Sequence, residues 1–142
     1  MRIEKTILDE LINHTPALPP ESGGILGGQN GVVTRCFPDT GLSRTPARYA
    51  PNAAVLNAAV ARWSAEGVAL YGIYHSHYPR DRLLSQGDMA YIETLMDSLP
   101  PSIHSLYFPI VLPRKEVIAY RADRSGGTLQ IVREKIEISE RM

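Results

Sequence analysis

The sequence predicts a mixed α/β domain organised around one central sheet. Segments with apolar residues at helical spacing alternate along the chain with short apolar runs bounded by glycine and proline. The pair Asn30-Gly31 and the stretch Pro113-Arg114-Lys115 each separate two such runs, as hairpin turns do. The resulting order is helix, two strands, helix, strand, helix and then strands, which places one sheet among helices. A length of 142 residues suits a single domain spanning 1-142, long enough to bury a core.

Each element has its own signal. Apolar residues at 3, 7, 8, 11 and 12 mark one face of a helix over residues 3 to about 14. Pro16, Pro19 and Pro20 stop it and make an extended connector. Gly23-Gly24-Ile25-Leu26-Gly27-Gly28 reads as a strand whose glycines admit another backbone or a ligand at close range. After the Asn30-Gly31 turn, residues 31 to 37 return as its hairpin partner, and residues 38 to 50 have the composition of an exposed loop. Residues 53 to 66 are alanine-rich and amphipathic, with Gly67 at the C-cap position. Residues 68 to 77 alternate as a strand, residues 78 to 84 form a polar loop, and residues 85 to 99 are a helix ending at Pro100-Pro101. Residues 106 to 112 and 116 to 120 form a hairpin, and residues 128 to 138 a last strand.

Composition narrows the function. Hydrophobic residues are 44% and charged residues 21% of the chain, as in ordinary globular proteins. Fifteen basic and fifteen acidic side chains cancel, so no basic surface is set aside for a nucleic acid. No apolar stretch is long enough for a membrane span, and the charged start MRIEKTILDELI is unlike a signal peptide. The expectation is a cytoplasmic protein with a reduced thiol. The single cysteine, Cys36, excludes an internal disulfide and a cysteine-rich zinc site, and reads as a half-buried strand residue.

Tyr74-His75-Ser76-His77 carries the chemical signal. Side chains alternate along a strand, so His75 and His77 point the same way and can share one ion. Asp88, three residues beyond Ser85, falls in the first turn of the following helix, where its dipole favours a carboxylate. Two histidines and one carboxylate make a catalytic zinc set with the fourth position open. Taken separately, the histidines also read as partly exposed strand residues, and Ser85-Gln86-Gly87-Asp88 as a plain capping pattern. Local chemistry likewise does not distinguish Glu21 from Glu93 or Asp81 as a proton acceptor.

The combination resembles the JAMM/MPN-plus metallopeptidases. Their motif is a glutamate, then H-[ST]-H, seven residues, S, two residues and D. It is matched by Glu21, His75-Ser76-His77, residues 78 to 84, Ser85 and Asp88. Pro20-Glu21-Ser22-Gly23-Gly24-Ile25-Leu26-Gly27-Gly28 is similar to the glutamate-bearing first strand, with Gly23-Gly24 in place of the usual Cys-Gly. The resemblance runs from about residue 3 to about residue 121. It implies an MPN (JAB) domain with a cytidine-deaminase-like mixed sheet flanked by helices, and a Zn2+ ion held by His75, His77 and Asp88. It also implies that Glu21 shuttles a proton from the attacking water to the leaving amine, and that Ser85 helps stabilise the oxyanion.

The implied activity is that of a zinc peptidase or isopeptidase, acting near the C-terminus of a ubiquitin-like or sulfur-carrier protein. A substrate tail ending in glycines is expected to lie along residues 23 to 28. The alternative is a catalytically silent MPN-like binding or scaffold module. A nucleobase deaminase is set aside because Cys36 alone cannot supply its cysteine ligands. The chain departs from the family pattern in placing Tyr78 before Pro79, in the charges Arg80, Asp81 and Arg82, and in residues 99 to 105, which read as a local insertion carrying His104. His104 reads as an exposed loop histidine, with contact to a substrate as the alternative, and His14, after the first helix, has no supporting context.

Overall fold

A computed structural model describes residues 1–17, 21–39, 53–78 and 81–140. Its elements are β1 (Arg2–Glu4), α1 (Lys5–His14), β2 (Gly23–Gln29), β3 (Val32–Asp39), α2 (Ala53–Ala65), β4 (Ala69–Ser76) and α3 (Gln86–Ser98). There follow β5 (Ser105–Tyr107), β6 (Ile110–Leu112), β7 (Glu116–Asp123), β8 (Gln130–Glu134) and β9 (Glu137–Ser139). The nine strands among the described residues join one mixed sheet in the order β5-β7-β6-β4-β2-β3-β1-β9, with β8 pairing with β7 off this path. The expected mixed α/β architecture with a central sheet flanked by helices is present.

Alternation along the strands builds a layer on each face. Leu26 joins Ile3, Leu11, Val33, Tyr74 and Val111 in a core under α1. Its neighbour Ile25 points the other way, to Leu56, Ala59 and Trp63 of α2. Farther along that second face, Ile92 and Met96 of α3 meet Leu106, Phe108 and Ala122. The turn between β2 and β3 has positive φ at both Asn30 and Gly31, the backbone that a tight right-twisted hairpin requires.

Several boundaries differ from those expected. Ile3 lies in β1 instead of α1, fully buried, because residues 2 to 4 pair in parallel with both β3 and β9. The apolar run 106 to 112 divides into β5 and β6 at Phe108-Pro109, where proline has no N–H to give the ladder. The last strand divides as well: β8 pairs with β7, and β9 crosses to β1. Pro38 and Asp39 belong to β3, while residues 40–50 of the expected loop and residues 18–20 of the connector lie outside the described residues.

The expectation of a substrate tail along residues 23 to 28 is overturned. Over residues 23 to 28, β2 pairs with β3 on one side and β4 on the other, leaving no free edge there. Its glycines serve internal packing. A side chain on Gly24 would collide with the Phe37 carbonyl, Pro38 and the Tyr74 hydroxyl, and one on Gly27 would approach Trp63 to 2.7 Å. Among the described residues, no helix is long and apolar enough to cross a membrane.

Candidate metal centre

The site begins at the end of β4. This strand lies between β2 and β6, in register at Gly23↔His75 on one side and His75↔Ile110 on the other. The ladder continues past the strand, with His77 N–H donating to the Val111 carbonyl at 3.0 Å. Ser76, on the opposite face, is buried and locks the strands together. Its N–H donates to the Ser22 carbonyl at 2.7 Å, and its Oγ accepts from the Ser22 N–H at 2.9 Å. The backbone on either side of both histidines is therefore held, and their imidazoles emerge on one face with Nε2 atoms 2.8 Å apart.

Asp88 arrives from α3. Ser85 is the N-cap, and a capping box closes around it: Ser85 Oγ accepts from the Asp88 N–H at 3.0 Å, and the Ser85 N–H donates to Asp88 Oδ2 at 2.9 Å. That reciprocal pair orients the carboxylate. Asp88 Oδ1 lies 3.3 Å from His75 Nε2, and Oδ2 lies 3.2 Å from His77 Nε2. Zinc–ligand distances of about 2.0–2.1 Å make the edge of a coordination tetrahedron about 3.3 Å. The two histidine–carboxylate separations, to different oxygens of Asp88, are close to that length, and the 2.8 Å between the imidazoles is shorter. His75, His77 and Asp88 are the His/Asp group able to hold a metal ion among the described residues, and by donor type and spacing they fit one.

The surrounding charges are strongly coupled. Burial pushes the Asp88 carboxyl up, but hydrogen bonds from both imidazoles and the Ser85 amide outweigh it, holding the group well below the usual carboxylate range. For His77, burial lowers proton affinity, and the Asp88 and Asp81 carboxylates more than compensate, raising it. Glu21 is half-buried just before β2, within electrostatic reach of both imidazoles and Asp88; burial pushes its carboxyl up against the opposing pull of His77 and His75. Strand pairing explains its position. Gly23 is opposite His75, so Glu21, two residues earlier, lies toward His77 on the same face.

All five residues of the motif thus lie around one end of the sheet, Ser85 exposed at the tip of α3 and His77 almost fully buried. Sequence reading gave Asp81 no role beyond that of an undistinguished acid. The structure puts its carbonyl 3.1 Å and its carboxylate 3.2 Å from His77 Nδ1. An acid four residues after the second histidine, in a loop that doubles back, was the available signal.

Other candidates stand apart. Cys36 is partly buried, and burial together with Glu10 pushes its thiol up to about 12, which makes it a poor nucleophile. It lines, with Glu10, His14 and Tyr74, a cavity of about 290 Å³ under α1, on the sheet face opposite the imidazoles. His14 and His104 are exposed, away from the cluster.

No family model matches the chain, and no curated protein sequence matches it. Solved structures do resemble it over nearly its full length. A protein from Desulfitobacterium hafniense superposes with a TM-score of 0.71 at 22% identity, covering 99% of this chain and 94% of that one. A JAB1/MPN domain protein from Archaeoglobus fulgidus gives 0.54 at 19% identity, covering 99% and 97%. A Salinibacter ruber protein gives 0.57 at 20% identity, covering 98% and 92%. Likeness at these identities is a likeness of fold, and the fold is MPN-like.

Proposed function

We propose that this chain is a zinc-dependent peptidase or isopeptidase of the JAMM type, with His75, His77 and Asp88 as metal ligands. The observation that carries the reading is the convergence of two imidazole Nε2 atoms and one carboxylate, each pair of groups within 3.3 Å, on an MPN-like fold. A divalent cation held there supplies Lewis acidity toward a carbonyl oxygen and makes water a better nucleophile near neutral pH.

The chain's own residues do the rest. Glu21, with proton affinity raised by burial, accepts a proton from the attacking water and returns it to the departing nitrogen. Ser85 uses an oxygen lone pair for the Asp88 amide, and its hydroxyl proton serves the developing oxyanion. One well-aimed donor contributes roughly 3 to 4 kcal/mol to such a transition state. Amide hydrolysis then proceeds with no covalent enzyme intermediate.

The substrate of this reading is a protein, cut near the C-terminus of a ubiquitin-like or sulfur-carrier partner. Leu83 and Met89, exposed on either side of the Ser85–Asp88 turn, offer apolar surface to it. The decisive experiment is metal content by plasma mass spectrometry on untagged protein, alongside cleavage of ubiquitin-like C-terminal fusions. About one zinc per wild-type chain and none in His75→Ala/His77→Ala supports the enzyme. No metal after incubation with zinc leaves the silent binding module as the better reading.

A further inference from the structure

His77 is 2% exposed, and both of its ring nitrogens need partners there. Nε2 faces Asp88 and His75, which leaves Nδ1. Its neighbours are the backbone carbonyl and the carboxylate of Asp81, both acceptors only. With a metal held through Nε2, the proton of the neutral ring sits on Nδ1, where both Asp81 acceptors face it. A histidine able to bind metal through Nε2 needs that tautomer.

Asp81 is exposed, so something else must hold it. Its N–H closes a turn onto the Tyr78 carbonyl at 2.9 Å. The next residue, Arg82, is tied at both ends: its carbonyl accepts from the Tyr120 hydroxyl at 3.1 Å, and its guanidinium grips both oxygens of Glu116. Tyr120 and Glu116 belong to β7, which pairs with β6 at Val111↔Val117 and Leu112↔Glu116. β6 in turn pairs with β4 at His75 and Ser76. The strand that delivers the histidines and the loop that returns to His77 are thus indexed to one hairpin.

We propose that Asp81 is a positioning residue of the metal centre, fixing the His77 tautomer and ring orientation, and that Tyr120 and the Arg82–Glu116 pair clamp the loop that presents it. The inference rests on the metal-binding reading above and deepens it. Asp81 does not touch substrate in this role; it acts through His77.

Two measurements test it. Long-range ¹H–¹⁵N NMR on zinc-loaded wild-type protein should show His77 protonated on Nδ1, with that resonance shifted in Asp81→Ala. Competition with a chromophoric chelator should show Asp81→Ala binding zinc about ten-fold or more weakly than wild type, at unchanged stoichiometry. Asp81→Asn, which keeps an acceptor oxygen, should recover most of the loss, and Tyr120→Phe should fall between Asp81→Ala and wild type. Melting temperatures of the metal-free variants should stay near that of wild type, since the change is local. Wild-type zinc affinity in Asp81→Ala overturns the proposal, and so does an unchanged His77 Nδ1 resonance in that variant. If wild type takes up no zinc, the metal-binding reading fails, while the His77 Nδ1 resonance of metal-free wild type compared with Asp81→Ala still decides the hydrogen bond.

Discussion

At the residue scale, Glu21→Gln separates the role proposed for Glu21 from those proposed for His75, His77 and Asp88. Gln is nearly isosteric and cannot accept the proton, so turnover should fall by about 10² or more while zinc stays bound near one per chain. Loss of zinc in this variant would make Glu21 a ligand. The variant also reads the site's electrostatics. The Glu21 carboxyl is raised in the folded state, so the folded chain loses stability as pH rises through that value. Metal-free Glu21→Gln should therefore melt above wild type at pH 7, with the difference shrinking as pH falls toward about 4, where the unfolded glutamate also protonates. Equal melting curves at both pH values would show that burial imposes no such cost. His75 and His77 were legible in the sequence because a strand has period two. Glu21 was legible only through the motif resemblance, because local chemistry does not distinguish it from another loop carboxylate until β2 pairs with β4.

At the scale of elements, the start of α3 is both a helix cap and half of the candidate site. Removing the cap in Ser85→Ala should cost about 1 kcal/mol in chemical denaturation. It should also weaken zinc binding, since the hydroxyl helps hold the turn that aims Asp88. Unchanged stability would mean the cap is dispensable. The capping pattern was readable from Ser85 and Asp88 alone, because its four residues are local. The break between β5 and β6 was less so. Pro109 forbids one ladder bond, but an apolar run is equally compatible with a single strand until both halves find β7. Gly24 shows the opposite case. Its sequence context suggested room for a ligand, whereas the space beside it is filled by β3 and Tyr74. Gly24→Val should therefore destabilise or prevent folding irrespective of substrate.

For the molecule as a whole, the sheet is covered on both faces, and the site lies where its central strands end. Trp63→Ala, which empties the interface between α2 and the sheet, should cost about 3–5 kcal/mol in the metal-free protein. Zinc bound only by the folded chain adds stability by mass action, about 2.7 kcal/mol at a hundred-fold excess over Kd. A chelator should accordingly lower the melting temperature of wild type but not of His77→Ala; an equal shift in both would place the metal elsewhere.

The sequence by itself determined the features that depend on neighbours along the chain. These are the α/β alternation, the Asn30-Gly31 hairpin, the helical faces, the shared side of His75 and His77, and the cap that carries Asp88. Local periodicity and turn chemistry act over a few residues, so the signal survives in one dimension. The tertiary structure alone decided that Glu21 stands beside His77, that Asp81 returns to its far nitrogen, that β9 crosses to β1, and that β2 has no edge to offer. Each of those follows from pairing between segments far apart in the chain or from a loop folding back, and such register is set by the packing of two faces at once.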